Sequence, residues 1–232
     1  RVYLSSPGNQ MHADYLRDMP VLFSFAIYPK WLDDYAPSFG RLLIDSGAYS
    51  EMNSGKAVDG AAYRDWWPRW DGHADAVAGL DDIRGDWRKS LQNYESFGGF
   101  PTMHDSDPPE LLDDLIPIAR EQGNGWLGIG LVPPRSGKET FIRSVCDSVP
   151  DDLKIHGWAL REYTHIRRLD SVDSTNWFRD SWQYKNAMPF LTPAECVELV
   201  VKRYQRWKRT IREPESCMYD DLAASGGIGG AP

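Results

Sequence analysis

Carboxylates and other polar groups stand at the ends of several short apolar runs. In "RLLIDSGAYS" (41–50) the run Leu42-Leu43-Ile44 stops on Asp45, followed by Ser46 and Gly47. "DAVAGLD" ends on Asp81, with Asp82 next; "FPTMH" ends on His104, with Asp105 next; "LKIHGW" carries His156; "LDSVDS" carries Asp170 and Asp173. "WLGIGL" contributes Gly128 and Gly130. Taken singly, an Asp or Ser after a strand is a helix cap or a turn former. Taken together, on strands lying side by side, these groups meet at one rim. Paired carboxylates suit cleavage of a glycosidic bond: one attacks the anomeric carbon, the other serves as acid and base on the leaving group. A glycine such as Gly47 lets the backbone turn away or approach a ligand closely.

Other chemistries lack their residues. There is no GxxxxGK[ST] phosphate loop, no GxSxG elbow and no HExxH pair among the five His. The glycines of "GNGWLGIG" end a strand and do not open a helix, so they make a poor dinucleotide fingerprint. Cys146, Cys196 and Cys217 form no C-x-x-C pair, which argues against structural zinc and suits a reducing cytoplasm. No metal and no cofactor is expected. No apolar run is long enough to span a membrane and no signal peptide is evident, so a cytoplasmic protein is expected.

The net charge of -8 and pI near 5.1 argue against a nucleic-acid packaging protein. They leave room for a local basic face. "KRYQRWKRTIR" (202–212) places Lys202, Arg206 and Arg209 on one predicted helix, and "LREYTHIRR" (160–168) carries Arg161, Arg167 and Arg168. Each stretch also reads as an ordinary solvated face. The acidic balance makes a homodimer or a partner subunit a reasonable source of further contacts.

The elements that must position these groups recur along the chain. Eight β-prone runs occur: 2–6, 21–26, 41–45, 75–81, 100–104, 126–131, 153–158 and 169–174. Helical segments alternate with them, such as "PELLDDLIPIAREQG", where Leu111, Leu112, Leu115, Ile118 and Ala119 follow helical spacing. Alternation implies an α/β fold with a parallel sheet, and eight units predict a compact, closed (β/α)8 TIM barrel. Such a barrel carries its active site at the C-terminal ends of its strands. One domain is expected over residues 1–213. It includes a C-terminal amphipathic helix opened by Thr192, Pro193 and Glu195, and a mobile Gly-rich tail follows over 214–232.

"LLIDSGAYS", "GLDD", "WLGIGLVPP", "KIHGWAL" and "SVDSTNWF" occur in that order between about residues 40 and 180. This set resembles the tRNA-guanine transglycosylase superfamily, and most of all its phage and bacterial members that insert 7-deazaguanine bases into DNA. The "HGWAL…SVDSTNW" pattern is the most specific part. The resemblance implies a (β/α)8 barrel that exchanges guanine for a 7-deazaguanine such as preQ0 through a covalent enzyme–sugar intermediate. It implies Asp173 as nucleophile on C1′ and Asp45 as acid/base. Ser46 would help hold the base, Asp81 would read its edge, and Gly130 and Leu131 would present backbone groups to its carbonyl. Gly47, His104, Gly128 and His156 complete the expected substrate-binding set. Asp170 and Asp82 remain alternatives to Asp173 and Asp81. Tyr49, Trp126 or Trp158 could stack on the base. The tRNA-modifying branch carries a C-x-C-x-x-C…H zinc cluster that this sequence lacks, which makes DNA the expected partner over tRNA. A hydrolytic N-glycosylase and a non-catalytic base-binding barrel are the competing readings.

Overall fold

In the computed structural model, residues 1–5, 7, 9–132, 138–160, 163, 165–174 and 190–207 are described, without the side chains of 203–207. Eight parallel strands form one sheet: β1 (Val2–Ser5), β2 (Pro20–Ser24), β3 (Arg41–Asp45), β4 (Ala74–Val77), β5 (Thr102–His104), β6 (Trp126–Gly130), β7 (Lys154–Gly157) and β8 (Ser171–Ser174). The strand order is β4-β3-β2-β1-β8-β7-β6-β5, so the sheet curls from the middle of the chain through both ends and back. Each predicted run overlaps one of these strands, with β2 and β4 each starting one residue earlier than expected.

The expectation of a closed barrel is corrected at one place. No ladder joins β4 to β5. Contact there is a single bridge between Ala78 and Phe100, held by Phe100 N–H to the Val77 carbonyl (2.7 Å) and Gly79 N–H to the Phe100 carbonyl (2.8 Å). The local sequence explains why the ladder stops. Pro101 has no N–H to give. Gly79 is packed so closely on Tyr94 that a Cβ would sit 2.4 Å from the ring. The chain therefore leaves β4 early, and Asp81 lies four residues past the strand that was expected to end on it. The fold is (β/α)8-like, an eight-stranded parallel sheet that curls without closing into a barrel.

The helices are α1 (Gln10–Tyr15), α2 (Ala48–Ser54), α3 (Gly60–Trp66), α4 (Trp87–Phe97), α5 (Leu111–Glu121), α6 (Glu139–Ser148) and α7 (Pro193–Trp207). In α5, Leu111, Leu112, Leu115 and Ala119 face inward, as their spacing predicts. Pro117 interrupts one helical hydrogen bond, but the acceptor it deprives belongs to solvent-facing Asp113. At α7 the predicted capping box is present. Glu195 N–H donates to Thr192 Oγ1 (3.2 Å), and Thr192 N–H donates to Glu195 Oε2 (2.7 Å). The buried face of α7 (Cys196, Val197, Val200, Val201) packs beside α1. Between β2 and β3 the chain forms three 3-10 turns over residues 25–38.

Inside the curl, side chains alternate along each strand. The interior cluster is Tyr3, Leu22, Leu43, Ala76, Ala78, Phe100 and Trp126, with Trp158 against it. Two residues further along the same strands stand Ser5, Ser24, Asp45, Thr102 and Gly128. The interior is thus apolar toward the N-terminal ends and polar toward the C-terminal ends. Among the described residues no helix is long and apolar enough to cross a membrane.

Candidate active site

The C-terminal ends of the strands gather Asp45, Asp81, His104, His156 and Asp173. Burial raises the Asp45 carboxyl from 3.8 to about 6; the Ser24 hydroxyl and the Gly47 N–H pull it back, and the charges of Asp81 and Asp173 push it further up. Two strand-end carboxylates and Asp81, from the stretch past β4, therefore lie close enough to feel one another at one end of the sheet. Gly47 makes this geometry possible. Its φ of +94° places it in the left-handed region, and a Cβ there would meet Ala26 Cβ at 2.3 Å. That turn aims its N–H back at Asp45 and opens α2. The small, bendable pair after Asp45 is thus a backbone requirement.

Asp173 is held as a pre-positioned carboxylate. Oδ1 accepts from the Ala159 N–H at 2.5 Å, and Oδ2 accepts from Ser5 Oγ at 3.3 Å. Ala159 has φ +54°, an uncommon conformation for a residue with a Cβ. Strain of this kind persists where surrounding structure enforces it, often at working sites. His156 is fully buried, its Nδ1 is 2.8 Å from Ser171 Oγ, and its Nε2 lies 3.6 Å from Asp173 Oδ1. Burial lowers the pKa of His156, so it is a neutral imidazole beside Asp173. Asp170 is elsewhere: its carboxylate accepts from Ile155 N–H and pairs with Arg168 at the N-terminal ends of β7 and β8. Asp82 accepts from Lys89 Nζ and Arg84 N–H and serves the turn before α4.

Asp81 Oδ2 lies 3.1 Å from His104 Nε2, and His104 Nδ1 faces Asp107 Oδ2 at 3.6 Å. Burial disfavours the charged ring, but the two carboxylates prevail and raise its pKa to about 10. His104 is therefore an imidazolium paired with Asp81.

The glycines of β6 act differently from expectation. Gly128 lies in the ladders to β5 and β7, and Gly130 in the ladder to β5. What they supply is room. A Cβ on Gly128 would meet Thr102 Oγ1 at 2.5 Å, and one on Gly130 would meet His104 Cδ2 at 2.5 Å. Leu131 turns its side chain into the helix-covered outer core. Just beyond it, Val132 N–H donates to Asp105 Oδ1 (2.7 Å), and Lys138 Nζ pairs with Asp105 Oδ2 (2.5 Å).

Of the candidate stacking rings, Trp126 is buried in the interior, and Trp158 lies on Phe100 (10° between planes) while donating to Thr102 Oγ1. Both pack the barrel. Tyr49, on α2 just past Gly47, is 51% exposed and presents its ring outward. Ser46 Oγ is buried without a hydrogen-bond partner among the described residues.

The expected basic faces fare unevenly. Arg168 donates to the carbonyls of Pro150 and Leu153, so it sits at the N-terminal end of the strands, away from the acidic rim. This corrects the expectation that chain order after β7 would keep it near that rim: the connection has already crossed the molecule. Arg167 is exposed. Lys202 pairs with Glu198 on α7. Arg161 and Arg209 lie outside the described residues, as do the Arg206 side chain and the tail. No cluster of three or more His, Cys, Asp or Glu suited to a metal ion occurs among the described residues.

The chain matches no protein-family model, no curated protein and no solved structure. The function is therefore argued from the site.

Proposed function

We propose that the protein is a transglycosylase that exchanges guanine in DNA for a 7-deazaguanine base. The observation that carries this reading is the Asp45–Asp173 pair. One carboxyl has a pKa raised to about 6 and suits proton transfer near neutral pH. The other is oriented by two hydrogen bonds and suits attack on carbon.

Asp173 Oδ2, the oxygen with the longer and weaker hydrogen bond, attacks C1′ of the sugar. The C1′–N9 bond breaks, its electron pair goes to guanine, and Asp45 supplies the proton. The incoming base then gives its N9 proton to Asp45. Its N9 attacks C1′ and releases the Asp173 carboxylate. Asp81 accepts from N1–H and the 2-amino group, the buried Ser46 hydroxyl gains a partner, and Tyr49 stacks on the ring. To reach this rim the base must leave the helical stack, at a cost of about a few kcal/mol that stacking and edge contacts offset. Exposed Lys202 on α7 is the candidate for phosphate contact.

The test is to incubate duplex DNA with the protein and isotopically labelled preQ0, then digest and weigh the nucleosides. Label in deoxynucleosides with matching guanine release supports exchange. Abasic sites without label indicate a hydrolytic glycosylase. Neither product overturns catalysis and leaves a base-binding barrel.

A further inference from the structure

The sequence suggests His104 as a substrate contact, yet both of its ring nitrogens already face carboxylates. Nε2 is 3.1 Å from Asp81 Oδ2 and Nδ1 is 3.6 Å from Asp107 Oδ2, with the three side chains only 8%, 12% and 4% exposed. Asp107 is itself fixed. Its Oδ2 accepts the His104 backbone N–H at 2.7 Å, and its own N–H donates to the His104 carbonyl at 3.0 Å. Gly130 leaves the room that the imidazole occupies. Among the described residues His104 is the only ionic or hydrogen-bonding partner of the Asp81 carboxylate. Asp81 stands on an irregular stretch past β4, with no strand to hold it.

We propose that His104, gripped by Asp107, is a positioning residue that anchors Oδ2 of Asp81 and aims Oδ1 at the base edge, so that the pair selects purines bearing a 2-amino group. This rests on the proposed function, and it assigns His104 and Asp107 a role in specificity that does not involve touching the base. A carboxylate rotating freely would accept one N–H as well as two. A carboxylate fixed at one oxygen accepts N1–H and the 2-amino group together and leaves an unmet acceptor when the amino group is missing. The protonated state of His104 at neutral pH follows from the two flanking carboxylates and supports the anchor.

The experiment measures guanine and hypoxanthine binding by calorimetry, together with exchange kinetics, in wild type, Asp107→Asn, Asp107→Glu and His104→Gln. Asparagine keeps an acceptor for the His104 N–H, so the turn and the thermal midpoint of Asp107→Asn should be retained. Wild type should bind guanine at least about tenfold more tightly than hypoxanthine. In Asp107→Asn and His104→Gln that ratio should fall to within about threefold, with KM rising more than kcat falls, and Asp107→Glu should restore part of it. Folded variants that keep the wild-type ratio would overturn the inference. So would variants that lose both bases equally. Wild type that discriminates but does not exchange would overturn the proposed function and leave this inference standing. Wild type that binds neither base would overturn both.

Discussion

The two ends of the barrel use the same residue type for opposite purposes. At the N-terminal end Asp75 accepts from the Tyr3 hydroxyl (2.5 Å), Arg1 (3.1 Å) and Arg41 (2.6 Å). One carboxylate there has two cations and a phenol. At the C-terminal end His104 pairs with Asp81, and among the described residues no Lys or Arg pairs with Asp45, Asp81 or Asp173. A carboxylate with surplus cationic partners ties strands together. Asp45, with no cation paired to it among the described residues, has its carboxyl moved up mainly by burial, and such a group is suited to proton transfer. Counter-charge, and not the presence of Asp, separates the two ends.

That contrast is broken most severely by Asp173→Asn. Exchange should fall by on the order of 10^4-fold or more, with the thermal midpoint little changed, as measured by nucleoside mass spectrometry and calorimetry. Next is Asp45. Its pKa is higher folded than unfolded, so the proton it holds stabilises the fold below about 4, and that contribution is lost as pH rises through about 6. Asp45→Asn should therefore match wild type in stability below pH 4 and exceed it by up to about 3 kcal/mol above pH 6. Denaturant unfolding across that range checks it, and a constant offset at all pH values would sink it. Asp75→Asn should do the reverse: exchange unchanged, but a loss of about 1–3 kcal/mol, tempered by the exposure of both arginines. The smallest effect belongs to Lys202→Ala. The Glu198 pair on α7 is worth about 0.3–0.5 kcal/mol, while the slope of log affinity against log salt should drop by about 0.9 for one lost phosphate contact.

How much of this was legible in the sequence follows from what leaves a local trace. The eight strands and the α7 capping box were legible because apolar runs and cap residues are short-range signals. Asp45 and Asp173 were legible as strand-end carboxylates, although their convergence needed the sheet; Asp81 was expected at a strand end and lies four residues past one. Gly128 and Gly130 were visible as special, and the structure adds a reason the sequence does not carry: the space they leave is filled by Thr102, Trp158 and His104, which come from elsewhere in the chain. Ala159 left no trace, since nothing about an alanine announces a φ of +54°. Asp107 was hidden in "DSDPPE", where an acidic residue before two prolines reads as a turn. Arg168 was misplaced because sequence distance from β7 says nothing about which end of the barrel a connection has reached.

The missing ladder between β4 and β5 has one further consequence. Asp81 follows one lip of that seam and His104 belongs to the other, so their ion pair acts as a clasp across the weakest line in the wall. A ligand that draws on Asp81 pulls on the clasp as well. Occupancy of the mouth should therefore be written into the amide exchange of Gly79 and Phe100, whose two hydrogen bonds are the only backbone stitches holding the lips together among the described residues.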